Sequence, residues 1–335
     1  MARKIDSIVG EKELSMSSIQ TTVSDRLEAV QKELSRIVVS DFGMIEEVNQ
    51  CLLAMKGKLF RPTLVLLANE VGQEPTEDAV TLGAILELVH LATLVHDDAV
   101  DHSVLRRGLP TVNALWTHQV AVIMGDYLYS RSVSELVQMK KYSALSVLAN
   151  ATNQMSIGEM RQLTSIDALG FSEGDYNRLI ECKTASLISA SCEIGALEGQ
   201  GEHSQSLADF GHNLGMAFQI ADDLLDYKGE VSVTGKPSGH DLREHKVTLP
   251  LVASLNNMSE LELQETRKFF TLIQPTDRDI EKLVEIVIEN GGLDYAEGQA
   301  QMYAERAREI LWNLPESPAV TALENAVTYT VTRDR

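Results

Sequence analysis

The chain has 335 residues, of which 44% are hydrophobic and 5% aromatic, with a formal net charge of −20. That length can bury a large core, as one big domain or two average ones, and the charge excludes a general nucleic-acid binder and any electrostatic pull toward anionic lipid. Leu, Ala, Val, Ile, Met and Glu are plentiful, which favours helices, and against an acidic background any local group of Lys and Arg is informative.

No Pro/Gly/Ser-rich linker interrupts the middle of the chain, so a single all-α domain is expected over 21–335. Residues 1–20 are polar and read as a flexible or swapped arm. They lack an apolar h-region and carry early acidic residues, unlike a signal or transit peptide. No segment reads as a membrane span, which leads to the expectation of a cytoplasmic protein. Cys51, Cys182 and Cys192 lack CxxC spacing, so they are expected to be reduced core residues without a disulfide framework or zinc site.

Helical spacing begins at 21 or 25 and continues to 39 through Val23, Leu27, Val30, Leu34 and Val38. A second helix is expected over 45–55. A basic loop follows, Lys56 to Arg61, with Pro62 suited to the first position of the next helix. Lys58 and Arg61 then flank a helix N-terminus, a natural anion site. A long helix is predicted over 76–102, with Glu87 and His90 set in its apolar run and Asp97, Asp98 and Asp101 at its end. Arg106 and Arg107 come next, then a turn at GLPTVN. Helices are expected over 114–137 and 142–166, the second carrying Gly158, Glu159 and Gln162. Another is expected over 172–197, N-capped by Ser172, with Lys183 and Thr184 deep in its apolar pattern. A lysine there is costly to bury without an anion. The helix over 206–227 carries Gln219 and a second acidic group, Asp222, Asp223 and Asp226. A long Gly/Pro-bearing loop then holds Lys236, Asp241 and Lys246, and such loops are more often lids or binding loops than connectors. From 251 to the end the pattern is amphipathic helix with no nameable chemistry, and no strand alternation occurs anywhere.

On a helix, Asp97 and Asp101 are one turn apart and share a face, with Asp98 about 100° round. Crowded carboxylates repel one another and resist burial unless a cation joins them. An oxygen-only set suits Mg²⁺, which takes one or two carboxylates and fills its other positions with water and substrate phosphates. A lone cluster reads equally well as a solvated helix end. Its recurrence as Asp222, Asp223 and Asp226 at the same spacing argues against that. Metals and cations converging from separate segments imply a polyanion, diphosphate above all. Apolar helices around it imply a hydrocarbon tail, so the ligand is expected to be an isoprenoid diphosphate.

Five ordered motifs carry a resemblance along nearly the whole chain: GKLFRP at 57–62, LVHLATLVHDDAVDHSVLRRG at 88–108, CKTASL at 182–187, GMAFQIADDLLDY at 215–227, and GKPSGHDL with KVTLP over 235–250. Together they resemble the trans (E-type) polyprenyl diphosphate synthases, long-chain octaprenyl-like members in particular. The resemblance implies an isoprenoid-synthase-type helical bundle around a central cavity, usually a homodimer. It implies that Asp97, Asp98 and Asp101 bind Mg²⁺ on the allylic diphosphate, with Asp222, Asp223 and Asp226 completing a set of two or three ions. Arg106, Lys183, Lys236 and Lys246 would hold the allylic diphosphate. Lys58, Arg61, His90 and Arg107 would hold isopentenyl diphosphate, and Thr184 and Gln219 would face the developing cation.

The chain departs from that family's pattern in three places. Lys56-Gly57-Lys58 stands where GGK is common, Leu59 where a basic residue is common, and His245 where Gly is common. Bulky aromatics floor the cavity of short-chain members one turn before the first aspartate. Here Ala92 and Thr93 are small, which predicts a tunnel continuing past Val89 and a C30–C50 product, C40 at best guess, serving quinone side chains. Short-chain (C15–C20) synthesis is the alternative. A class I terpene cyclase would need no second diphosphate site. A His-Asp phosphohydrolase, suggested by His96-Asp97, leaves the second cluster unexplained, and a regulatory subunit would lose the aspartates.

Overall fold

The computed structural model describes residues 14–55, 57–106, 108–164, 169–199, 201–228 and 239–333. The chain enters through a short helix α1 (Met16–Ile19), capped by Ser15, and a 3₁₀ turn over Gln20–Val23. Then come α2 (Ser24–Ile37), α3 (Gly43–Ala54), α4 (Phe60–Asn69) and α5 (Asp78–Val100). Two-residue strands β1 (Leu105–Arg106) and β2 (Leu109–Pro110) pair antiparallel after α5, a hairpin too short for sequence alternation to reveal. Helices α6 (Val112–Leu115), α7 (His118–Gln138), α8 (Tyr142–Thr164), α9 (Glu173–Ile180), α10 (Ser186–Leu197) and α11 (Ser204–Lys228) follow. The remainder is α12 (His240–Arg243), α13 (Leu249–Ser254), α14 (Glu260–Phe269), α15 (Asp277–Glu289), α16 (Gly292–Leu311) and α17 (Pro318–Thr332).

Two classes of helix make the bundle. In α2, Leu27, Val30, Leu34 and Ile37 are buried at three- and four-residue spacing, one stripe against the core. In α4, α5 and α10 the buried residues run all round, so these helices are enclosed: α4 packs on α5 and α10, while α7 and α2 cover α5. The sequence shows no obvious membrane span, yet α5 reaches that length, with 23 residues and an 18-residue window of mean hydropathy 1.7. Of that window 67% is buried inside the fold, so its apolarity belongs to the core.

Close approach depends on missing side chains. A Cβ on Gly195 of α10 would lie 2.2 Å from the Val65 carbonyl oxygen of α4. The three cysteines are free, with Cys182 and Cys192 buried and Cys51 partly so. Leu59 and His245 both occupy the left-handed region, at φ +50° and +56°. These are two of the positions where the chain departs from the common pattern, and at His245 the backbone conformation is one that glycine adopts without strain. The His245 ring is kept there against Phe269 and Phe270, with centroids at 5.9 and 5.8 Å.

Candidate active site

A cavity of about 910 Å³ opens at the C-terminal end of α5, near the upper limit of typical small-molecule sites. Asp97, Lys58, Arg61, His90, Lys183, Thr184, Gln219 and Asp222 all line it, as do Val89, Ala92 and Thr93 deeper along α5. Four separated stretches of sequence thus meet in one space. Pro62 is the third residue of α4, not its first, because the helix starts at Phe60.

The first aspartates divide their work. Asp97 lines the cavity, and its carboxyl is pushed up to about 6, chiefly by burial, with Glu159 and Asp101 raising it and Lys183 and Arg106 opposing. Asp98 is buried and accepts both Arg106 Nε contacts, at 3.0 and 2.9 Å, and Nη2 at 2.8 Å. Arg106, expected on the diphosphate, is therefore held by Asp98 in the ligand-free protein. Asp101 is the exposed C-cap of α5, its N–H donating 2.8 Å to the Asp97 carbonyl.

Lys183 does not sit in a continuous helix as the apolar pattern suggests. Glu181–Ala185 is a π-helical turn between α9 and α10, a form that recurs at functional sites. The turn brings Lys183 Nζ to 2.7 Å from Glu159, 3.0 Å from Gln162 Oε1 and 3.8 Å from Asp97. Gly158 of α8 makes room for it: a Cβ there would meet Cys182 Cβ at 3.0 Å and the Lys183 nitrogen at 3.3 Å. Gly158→Ala is expected to displace the turn and lower kcat roughly tenfold, an effect of about 1.4 kcal/mol on the barrier, with a thermal midpoint changed by only a few degrees. Steady-state kinetics beside a melting curve separate the two effects.

Around the second aspartates a polar chain is fully connected. Thr184 donates 2.6 Å to Gln219 Oε1, Gln219 Nε2 donates 2.8 Å to Asp223, and Tyr176 donates 2.6 Å to the other Asp223 oxygen. Burial and the nearby Asp241 hold the Asp223 carboxyl well above its usual range, against both hydrogen bonds. Asp222 faces the cavity. Asp226, expected as a third ligand, accepts the N–H groups of His240 (3.0 Å) and Asp241 (2.9 Å), so it caps α12. Asp241, half-buried on α12, is raised to about 7 by burial and Asp226, with Lys246 opposing. Lys246 Nζ itself lies 2.6 Å from Glu244. Arg107 and Lys236 lie outside the described residues.

Among the described residues, no three Asp, Glu, His or Cys side chains converge on a single metal position. That suits Mg²⁺ better than a protein-caged ion, since it binds through one or two carboxylates and completes its shell from phosphate and water. The aspartates offer oxygen donors only, and burial is the largest cause raising Asp97, Asp223 and Asp241, outweighing Lys183 and Arg106 at Asp97 and Lys246 at Asp241.

Several cavity residues had no functional signal in the sequence reading. Asp126 and Tyr129 of α7 and Asn153 and Ser156 of α8 form one wall, and Met16 comes from the arm. Tyr329 and Arg333, from the tail that offered no chemistry, also line it. Glu159 lies one helical turn before Gln162, and their common contact with Lys183 is the clue that spacing alone could have supplied.

The sequence model of the polyprenyl synthetase family matches residues 43–287. The chain belongs to that family. It is 34% identical over 325 residues to heptaprenyl diphosphate synthase component 2 of Geobacillus stearothermophilus, covering 96% of this chain and 100% of the relative. It is 33% identical over 326 residues to the octaprenyl diphosphate synthase of Escherichia coli (strain K12), with 96% and 100% covered. Its fold superposes with a TM-score of 0.90 on a polyprenyl synthase from Caulobacter crescentus CB15 complexed with calcium and isoprenyl diphosphate, at 32% identity over 97% of this chain and 99% of that one. The protein is thus a prenyltransferase with the isoprenoid-synthase helical fold, as its motifs imply. Isoprenoid diphosphates are the family's substrates.

Proposed function

We propose that this chain is a Mg²⁺-dependent synthase that adds isopentenyl diphosphate head-to-tail to farnesyl or geranylgeranyl diphosphate, making an all-trans polyprenyl diphosphate of C30–C50, C40 at best guess, for quinone side chains. One observation carries the reading: a cavity with Asp97, Asp222, Lys58, Arg61 and Lys183 among its lining also has small residues, Ala92 and Thr93, on α5. The calcium complex of the Caulobacter crescentus protein supports a divalent ion.

Asp97, Asp98, Asp101, Asp222 and Asp223 would hold two or three Mg²⁺ ions, which would supply charge neutralisation for the leaving group. The side chains of the chain do the rest. Lys183, held by Glu159 and Gln162, is poised for a diphosphate oxygen beside Asp97. Lys58, Arg61 and His90 position the isopentenyl diphosphate so that its double bond meets the allylic carbon. Thr184 commits its proton to Gln219, leaving hydroxyl lone pairs for the carbocation. The apolar walls exclude water that would quench it. The proton lost on forming the new double bond goes to a diphosphate oxygen. Asp226 serves this site by fixing the start of α12, which carries Asp241.

A homodimer is proposed through α7 and α8, which expose Val122, Ile123, Ile157, Met160 and Leu163. The domain is proposed to span 21–335, in the cytoplasm. Sedimentation of the full chain at twice the monomer mass tests the dimer.

Labelled isopentenyl diphosphate, Mg²⁺ and farnesyl diphosphate, followed by chain-length analysis of the products, test the activity. A single long all-trans product is expected. A product ending at C15 or C20 would overturn the chain-length reading, and a cyclised hydrocarbon the whole reading.

The raised carboxylates also predict a pH effect. A carboxyl raised on folding stabilises the fold most below its unfolded value near 4, and that contribution is lost as pH rises through its folded value. For Asp97 and Asp241 the window runs from about 4 to about 6 and 7. The metal-free protein is expected to melt several degrees lower at pH 7.5 than at pH 5.5, and Mg²⁺ to raise the midpoint more at the higher pH. Differential scanning calorimetry at both values checks this.

A further inference from the structure

The C-terminal helix reaches the cavity at two points one turn apart. Tyr329 Oη lies 3.0 Å from Lys58 Nζ, on the basic loop. Arg333, directly after α17, reaches the second acidic group. Its Nη2 donates 3.0 Å to Asp222 Oδ1 and 3.3 Å to the Phe218 carbonyl. Its guanidinium lies 3.9 Å from the centroid of the Phe218 ring, which in turn stacks on Phe60 at 5.4 Å. The Arg333 side chain is only 7% exposed, whereas Asp222 is 56% exposed and faces the cavity.

This is an uneven pair. The arginine has its own aromatic seat, independent of Asp222, so it is held in place whether or not the carboxylate is its partner. Among the described residues, Arg333 is the cation paired with Asp222. A carboxylate oxygen that accepts from a guanidinium has lost part of its capacity for a metal, and metal binding there requires that the pair be broken or shared.

We propose that Arg333 is a resident counter-ion for Asp222, which a divalent metal must displace on entering the site. The inference rests on the reading of Asp222 as a metal ligand. Its consequence is a threshold. The substrate-free protein binds metal weakly at the second acidic group, and full affinity appears only when diphosphate arrives to share the ion. Because Arg333 and Tyr329 share one helix end, the same helix also braces Lys58.

The test is calorimetric titration of Mg²⁺ into the full-length, substrate-free protein, with melting curves to confirm folding of every variant. Arg333→Met keeps an apolar stem over Phe218 and removes the cation. It is expected to bind Mg²⁺ roughly two- to fivefold more tightly than the parent chain, the range of a partly exposed ion pair. Arg333→Lys keeps the charge and is expected to stay near the parent value. Asp222→Asn is expected to weaken binding in both the parent and the Arg333→Met background. Equal or weaker Mg²⁺ affinity in Arg333→Met, with Asp222→Asn still weakening it, overturns the counter-ion role alone. An Asp222→Asn variant that titrates like the parent overturns the metal reading of Asp222 and the counter-ion role with it.

Discussion

Asp97→Ala is expected to lower kcat by about a thousandfold or more while raising the melting temperature of the metal-free protein at pH 7.5. Both effects come from one placement. Asp97 is the member of the first acidic group that lines the cavity, whereas Asp98 is bound to Arg106 and Asp101 is exposed at the end of α5. In the proposed mechanism Asp97 is the member placed to tie a metal to the leaving diphosphate, its nearest cation being Lys183 at 3.8 Å, a longer contact than the Asp98–Arg106 pair. Loss of one such stabilising group in a preorganised site typically costs ~10²–10³ in kcat, and loss of a metal ligand removes more than its own contact. Burial is also the main cause that raises its carboxyl to about 6, so at pH 7.5 the charged form is a burden on the metal-free fold. Alanine removes that burden. Asp97→Asn, which keeps the shape, is expected to show the same pair of effects. Kinetics with saturating Mg²⁺, beside melting curves without it, decide the matter. A variant that keeps a tenth of the parent kcat, or that melts lower, would sink this assignment.

The helices and their acidic ends were legible because both depend on local rules. Apolar spacing in α2, the Ser172 cap of α9 and the one-turn interval between Asp97 and Asp101 can be counted along the chain. What could not be counted were the pairings made between distant side chains and backbone groups. Nothing in a run of residues says that Arg106 will turn back on Asp98, or that Asp226 will spend its oxygens on two backbone N–H groups across the loop. Sequence spacing also runs straight through 172–197, whereas the π turn at Lys183 forms because Gly158 and Gly215 let α8 and α11 lie against it. A Cβ on Gly215 would fall 2.6 Å from Ala185 Cα. Arg333 was hidden for a further reason: its partner lies 111 residues earlier. A helix that is amphipathic throughout gives no hint that its last turn reaches a site.

Ala92→Tyr is expected to turn a long-chain product into one of about C15 to C20. On α5, the side chain one turn before an aspartate lies on the same face and deeper in the bundle. Ala92 is 2% exposed and lines the cavity beside Val89 and Thr93, so a ring added there grows into space the product would use. The Thr93 hydroxyl is turned onto its own helix, donating 2.8 Å to the His90 carbonyl, and closes nothing. Opposite lie Ala149, Thr152 and Asn153 of α8, none larger than Asn, with Tyr129 hydrogen-bonded to Thr152 at 3.4 Å. Packed interiors tolerate added volume poorly, at about 1–3 kcal/mol, but a tyrosine pointing into open cavity meets no such resistance. The variant should therefore fold and should keep its rate for the first addition, since the charged mouth is unchanged. Successive additions push the chain inward until the ring stops it. Chromatography of the extracted products, with early-turnover rates as a control, reads both effects. An unchanged product length would place the floor of the cavity on another wall, with Tyr129 the next residue to replace.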